Sequence, residues 1–207
     1  VQARGLISGP VSDNLSLSFS MLYDERDGFV TDPANGVKYN NEDTLVARMK
    51  GLWEINEDVN VVFSADYTKE DVLLTLGRSV AALYAIDLGT GGRVPLTTRP
   101  TGEWNFEAET SLADTPWQTT DHWGGNITVN WDINDSTSFK SITGYRKLDT
   151  SSYIDIDATD LILGDVLVEL DQDQLSQEFQ LLGNNGDDVN WVAGFYYMNE
   201  NVPSHQE

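Results

Sequence analysis

Apolar residues occupy alternate positions over several stretches of this chain. Leu15, Leu17, Phe19, Met21 and Tyr23 interleave with Ser16, Ser18 and Ser20. Further on, Trp53, Ile55, Val59, Val61, Phe63, Ala65 and Tyr67 hold odd positions, as do Trp123, Ile127, Val129, Trp131, Ile133 and Phe139. A β-strand turns successive side chains to opposite faces, so a period of two predicts a sheet with one oily face and one wet face. One unit is written twice, as LWEINEDVNVVFSADY at 52–67 and NWDINDSTSFKSITGY at 130–145. Each copy has a Trp, then Ile-Asn, an acidic turn, and a strand closing on Tyr.

The pattern predicts eight strands: Val1–Ser8, Leu15–Tyr23, Thr44–Ile55, Val59–Thr68, Thr120–Ile133, Thr137–Leu148, Gln174–Leu182 and Val189–Asn199. Their connections alternate. Gly9–Asn14, Asn56–Asp58, Asn134–Ser136 and Gly183–Asp188 are short, whereas Asp24–Glu42, Lys69–Thr119 and Asp149–Asp173 are long. A short helix is expected near Ser79–Leu88, inside the second long segment. Outer-membrane barrels have short turns at one end and long loops at the other. A soluble sandwich mixes loop lengths at both ends. The fold class read from this is all-β: an antiparallel meander forming part of a transmembrane barrel wall.

The hairpins fix a register. Pairing Ile55 with Val59 sets Trp53 against Val61, Gly51 against Phe63, Ala47 against Tyr67, and Arg48 against Asp66, the last an opposite-charge cross-strand pair. In the second copy Trp131 faces Phe139 and Gly125 faces Tyr145. Both hairpins are thus expected to lay an aromatic ring over a bare glycine.

The aromatic positions form two levels. Trp53, Trp131 and Trp191 lie beside the short turns; Tyr23, Tyr67, Trp123, Tyr145 and Tyr197 lie near the long loops. From Trp131 to Trp123, at about 3.3 Å per residue and a tilt of about 40°, the rise is roughly 20 Å. The apolar band of an outer-membrane barrel is about 25 Å tall and edged by aromatic girdles. Trp53, Tyr67, Trp123, Trp131, Tyr145 and Trp191 are the girdle set. The opposite face carries Arg48, Lys50, Asp66, Asn126, Asn130, Lys140, Glu178 and Gln180, which suits a wet lumen and not a sandwich core.

Composition narrows the partners. The 207 residues include 34 acidic and 12 basic ones, a net charge of −22. Nucleic acid is excluded as a partner, since phosphate binding needs a basic surface. The chain has no cysteine, which removes disulfides, thiolate metal sites and cysteine nucleophiles. No apolar stretch is long enough for a transmembrane helix. The histidines are His122 and His205, and no catalytic triad is legible around either, so no enzyme activity and no cofactor are expected.

Several segments resemble a known family. ISGPVSDNLSLSFSMLYDERDGFV, FKSITGYRKLD, LSQEFQLLG and VNWVAGFYYMNE are similar to the barrel wall of TonB-dependent outer-membrane receptors, which carry iron–siderophore complexes, cobalamin and some oligosaccharides. The resemblance covers nearly the whole chain apart from the long loops. It implies a barrel of 22 strands around a plug. It also implies a ferric siderophore or similar ligand, outer-membrane lipid around the wall, a TonB inner-membrane complex reached through the plug, and a Gram-negative outer membrane. The plug, the TonB box and the closing strand have no counterpart in the sequence, so it reads as an internal piece of such a receptor.

Two loops carry candidate chemistry. Arg78, Arg93, Arg99, Trp104, Phe106 and Trp117 fall in the 69–119 segment; guanidinium groups and aromatic rings on a rigid scaffold suit an anionic or aromatic ligand. The 149–173 segment is rich in acids, and Asp155, Asp157 and Asp160 offer oxygen ligands to Ca²⁺, without the glycine and glutamate of an EF-hand. Two other readings stay open: a soluble acidic β-sandwich binding carbohydrate through Trp104 and Trp117, and a complete eight-stranded outer-membrane barrel acting as an adhesin. The first requires Phe63, Val61, Trp131 and Val129 to pack under another sheet. The second requires the first strand to pair with the last.

Overall fold

A computed structural model describes residues 1–78, 84–96, 104–112, 117–185 and 189–206. Eight long strands form one antiparallel meander: β1 (Gln2–Ser12), β2 (Leu15–Arg26), β5 (Glu42–Glu54), β6 (Val59–Leu73), β9 (Trp117–Asn134), β10 (Thr137–Asp155), β11 (Asp165–Asn185) and β12 (Val189–Asn201). Short pieces decorate the long-loop end. β3 (Val30–Thr31) pairs with β4 (Lys38–Tyr39), and β7 (Tyr84–Ile86) pairs with β8 (Arg93–Pro95). Beyond β12, β13 (Ser204–Gln206) also lies along β11. No helix occurs among the described residues, so none is long and apolar enough to cross a membrane.

The expected registers hold. Trp53 opposes Val61, Gly51 opposes Phe63 and Arg48 opposes Asp66; Trp131 opposes Phe139 and Gly125 opposes Tyr145. Across seven strands Leu15, Trp53, Val61, Val129, Ser141, Phe179 and Phe195 stand side by side. Three residues along, Ser18, Lys50, Ser64, Asn126, Gly144, Ser176 and Met198 make the matching row of the other face. The period of two therefore carries through the whole sheet, and a slip of one residue would exchange its faces.

The oily face is uncovered. Trp53 is 45% exposed, Ile127 52%, Trp131 47% and Phe195 62%. Among the described residues, no second layer packs on this side, as a sandwich would require. Nor does the sheet close: β1 and β12 are its two ends and do not pair with each other, as an eight-stranded barrel would require.

The core lies at the long-loop end, under the loops. Val30, Tyr39, Leu74, Leu76, Ala108 and Leu112 are buried together, with Val37, Leu73 and Tyr153 packed against them. Asp32, Thr110 and Thr159 are the buried polar residues among those described. Asn40 and Asn41 fasten the 27–41 loop to the exit of β6, accepting hydrogen bonds at Oδ1 from Leu76 N (2.7 Å) and Leu73 N (2.8 Å). Glycine is required at position 28, where a Cβ would overlap the carbonyl oxygens of Lys38 and Tyr39.

Four expectations need correction. The helix near Ser79–Leu88 is not found: 79–83 lie outside the described residues, and Tyr84–Ile86 is a strand. The 149–173 segment is mostly ladder, since β10 and β11 stay paired up to Asp155 and Asp165 and leave only 156–164 as loop. The first turn is tighter than Gly9–Asn14, because β1 runs to Ser12 through an irregularity between Pro10 and Ser12. Lastly, Tyr145 does not cover Gly125. Its ring packs against Trp123, with centroids 5.1 Å apart, while Gly125 is crowded by the Ser64 carbonyl. The aromatic-over-glycine device is instead repeated at Gly183, under Trp191, as at Gly51, under Phe63.

Candidate functional site

The long-loop end gathers an aromatic platform from two separate loops. Arg26 ends β2, pairs with Glu42 at 3.1 Å and sets its guanidinium 4.9 Å from the centre of the Phe29 ring. The 104–112 segment then runs beside β3. Thr31 N donates to Phe106 O (2.9 Å), and Ala108 N donates to Thr31 O (3.2 Å). Three rings result in series: Phe29 to Phe106 at 6.1 Å and Phe106 to Trp104 at 5.8 Å, both edge-to-face. They remain about half exposed, Phe29 at 44%, Phe106 at 53% and Trp104 at 44%.

Phe106 is held there against its own preference. Its φ is +61°, a left-handed conformation that costs a bulky residue about 1–2 kcal/mol. Such conformations persist where the surroundings impose them, commonly at ligand clamps. The two backbone hydrogen bonds to Thr31 impose this one. A second cation flanks the rings, because Arg78 Nη1 donates to Asn105 Oδ1 (2.7 Å), and Asn105 Nδ2 in turn donates to Glu107 Oε2 (2.7 Å). A guanidinium has five N–H donors, so Arg26, bonded to Glu42 and to Asn40 O, keeps capacity for a ligand anion.

Of the six loop residues singled out by the sequence, three meet here: Arg78, Trp104 and Phe106. Arg93 sits on β8, in a separate two-stranded hairpin. Arg99 lies outside the described residues. Trp117 opens β9 opposite Leu73, and its side chain also lies outside them. The structure adds Arg26 and Phe29, which sequence reasoning missed. Their only signal is an arginine and an aromatic bracketing Gly28 in a loop otherwise rich in turn formers.

The wet face is a polar network. Asn126 Nδ2 donates to Ser64 Oγ (2.9 Å), Asn130 Nδ2 to Asn60 Oδ1 (2.9 Å) and Gln180 Nε2 to Glu178 Oε1 (2.6 Å). Lys140 stands between Asn130 and Gln180, and Lys50 beside Ser64. One expected pairing changes. Arg48 does stand opposite Asp66, but the ion pair shown for that carboxylate is with Arg146, at 2.6 Å. Arg146 reaches it by crossing β9 above Gly124, where a Cβ would lie 2.7 Å from the arginine Cδ.

On the oily face the girdle residues keep their two levels. Trp53, Trp131 and Trp191 border the short turns and are 41–47% exposed, while Tyr67, Trp123 and Tyr145 stand near the long loops. Beyond that second level the same face turns acidic. A hollow of about 790 Å³ lies over Lys69, Asp121, Asp149, Glu169, Asp171 and His205. Lys147 bridges Asp149 (3.7 Å) and Asp171 (3.4 Å) there. Its carboxylates repel an anion, so a ligand that suits the arginines does not suit this hollow.

The acidic candidates regroup at the tip of β10–β11. Asp155, Asp157 and Asp165 bring carboxylate oxygens within 4.8 Å of one another. Asp165 replaces the expected Asp160, which is exposed, because continued pairing sets Asp165 directly opposite Asp155. Burial, offset in part by a hydrogen bond from Thr110 and raised further by Asp157 and Asp165, holds the Asp155 carboxyl above the usual carboxylate range.

The fold therefore defines one class: an open wall of antiparallel strands with one apolar face, one polar face, and loops gathered at one end. The solved structure of the ferric yersiniabactin uptake receptor FyuA from Yersinia pestis is similar to it, with a TM-score of 0.61 at 16% identity over 100% of this chain. The chain spans 30% of that structure's length. No family model matches the sequence, and no curated protein matches it. The likeness is one of fold.

Proposed function

We propose that this chain forms part of the barrel wall and outer loops of a TonB-dependent receptor in the outer membrane of a Gram-negative bacterium, taking up a ferric siderophore or a similar scarce nutrient. One observation carries the reading. A single sheet leaves an aromatic-edged oily face uncovered while its other face forms a hydrogen-bonded polar network. That combination suits lipid on one side and a watery lumen on the other. Likeness to the wall of a siderophore receptor supports the same reading.

In this account the ligand meets the platform of Phe29, Trp104 and Phe106 first. Arg26 and Arg78 supply positive charge in a strongly acidic chain, so the ligand carries negative charge and a flat or aromatic part. Passage then requires a plug and its TonB contact, supplied by parts of the receptor outside these residues. The wet face, with Arg48, Lys50, Asp66 and Arg146, lines the route.

The test uses the full-length protein in cells without other siderophore receptors. Radioiron complexes of catecholate, phenolate and hydroxamate siderophores are supplied with and without TonB. The expected result is TonB-dependent uptake of an anionic aryl complex, reduced at least about tenfold by combined Arg78→Ala, Trp104→Ala and Phe106→Ala, the loss of two or more contacts each worth about 0.5–1.5 kcal/mol. Uptake of none of the complexes contradicts the assignment; uptake indifferent to the triple substitution removes the platform from it.

A further inference from the structure

The two aromatic lines of the oily face do not run along the rungs of the sheet. Tyr23 and Leu45 stand side by side where the apolar runs of β2 and β5 end. Leu45 is abreast of Lys69, so the apolar run of β6 ends at Tyr67, two residues nearer the short turns. Trp123 is abreast of Tyr67 and of Lys147. The limit on β10 is therefore Tyr145, two residues lower again, with Leu175 beside it on β11. Leu175 is abreast of Asn199, and the limit on β12 is Tyr197, a further two residues down. The tryptophans by the short turns descend in the same direction. Trp53 stands in the row of Val129, so Trp131 lies two residues lower, and Trp191 lies two below the row of Trp131.

Polar groups begin one step beyond the upper line on all of these strands. Glu25 and Asp43 follow Tyr23 and Leu45, and Lys69 and Asp121 follow Tyr67 and Trp123. Lys147 and Asp173 follow Tyr145 and Leu175, and Asn199 follows Tyr197. Between the two lines this face carries no charged residue. Tyr23 and Tyr67 reach across the boundary, donating hydrogen bonds to Glu25 and Asp121. A ring in the apolar band with its hydroxyl at a polar edge is the arrangement of a membrane interface. The upper line falls six residues across the six intervals from β2 to β12. At about 3.3 Å per residue and about 4.8 Å between strands, its slope is about 35°. The tryptophan line falls four residues across five intervals, a slope of about 30° on the same spacings. Two lines set by different residues are thus nearly parallel.

We infer that the bilayer crosses this wall obliquely, bounded by the Tyr23-to-Tyr197 line towards the long loops and by the Trp53-to-Trp191 line towards the short turns. This rests on the reading of the oily face as lipid-covered and adds the direction in which lipid lies. The strands are inclined by about 30–35° to the membrane normal, close to the tilt of closed membrane barrels. Residues abreast in the ladder therefore lie at different depths. Ala47 is inside the hydrocarbon, whereas Lys147, in its own row, is beyond it. Ala47, Ala65 and Phe195 stand on three different rows, each one step inside the upper line, and share one depth. Leu45 to Trp53 and Trp123 to Trp131 each span eight residues, about 20 Å at this tilt. The surface fits a bilayer thinner than the average hydrocarbon core of about 30 Å. The acidic hollow over Asp149 and Asp171 then opens at headgroup height.

Spin labels on single cysteines at Ala47, Ala65, Phe195, Lys147 and Asp171, in the cysteine-free full-length protein in vesicles, test the slope. Depth is read from the ratio of collision rates with oxygen and with a water-soluble nickel chelate. One common depth is expected for Ala47, Ala65 and Phe195. Lys147 is expected about 10 Å shallower than Ala47, four residues along a tilted strand, and Asp171 open to the chelate. Heat-modifiable migration in electrophoresis shows that each labelled protein has folded. If the label at Ala47 prevents folding, Met21, beside it on β2, takes its place. Equal depths at Ala47 and Lys147, with oxygen reaching both, would overturn the slope and leave the lipid-covered face standing. Labels at Ala47, Ala65 and Phe195 all closed to oxygen would overturn both.

Discussion

The wall and the cap of this molecule are stabilised by opposite means. In the wall, backbone ladders pair every long strand with its neighbours, and the large apolar side chains stay exposed. In the cap, the backbone is irregular, and six side chains from distant parts of the chain are buried together. The contrast shows where the environment finishes the fold. A surface like the oily face is stable only against an apolar surround, whereas the cap makes its own interior in water.

The contrast is broken most severely by charge. Val129→Arg places a guanidinium on the oily face and is expected to cost about 2–4 kcal/mol of folding stability in lipid vesicles. Thr128→Arg, one residue along and on the wet face, is expected to change little. Equal effects at the two positions would mean that the faces are not distinct. The cap answers to shape instead. Gly28→Ala drives a methyl group into the Lys38 and Tyr39 carbonyls and is expected to cost about 1–3 kcal/mol. Hydrogen exchange should quicken around Val30 and Tyr39 and stay unchanged in β9 and β10. The smallest effect is expected at Glu42→Gln. It breaks an exposed ion pair with Arg26, worth under about 1 kcal/mol, and leaves the cation over Phe29 in place.

The same division governs what could be read from the sequence. All eight wall strands and both hairpin registers were legible, because a half-apolar strand announces its faces by alternation. Legibility ends where the strands pass beyond the apolar band. Thr150, Ser151 and Ser152 alternate nothing, so their ladder with Val168, Glu169 and Leu170 looked like a loop. Tyr84, Ala85 and Ile86 form an apolar run too short to separate a strand from a helix. The Arg146–Asp66 ion pair was missed for a different reason. Pairwise register shows direct neighbours, but not a long side chain crossing a glycine to reach the second strand over. The platform was half legible. Trp104 and Phe106 stood out by type, while Phe29 and Arg26 joined them only through the contact of 27–41 with 104–112, which no local pattern encodes. The carboxylate cluster was legible only as acids on one segment; the place of Asp165 in it, where Asp160 was expected, needed the ladder.

The central claim is that lipid covers the oily face. It is tested most directly by spin-labelling Ile127, Thr128, Val129, Asn130 and Trp131 one at a time, as cysteines in a cysteine-free full-length protein reconstituted in vesicles. Collision rates are then measured with oxygen, which partitions into the bilayer, and with a water-soluble nickel chelate. The account predicts a period of two, with labels at 127, 129 and 131 open to oxygen and labels at 128 and 130 shielded from it. Labels at 127, 129 and 131 sealed from both reagents would place protein against that face and contradict the account.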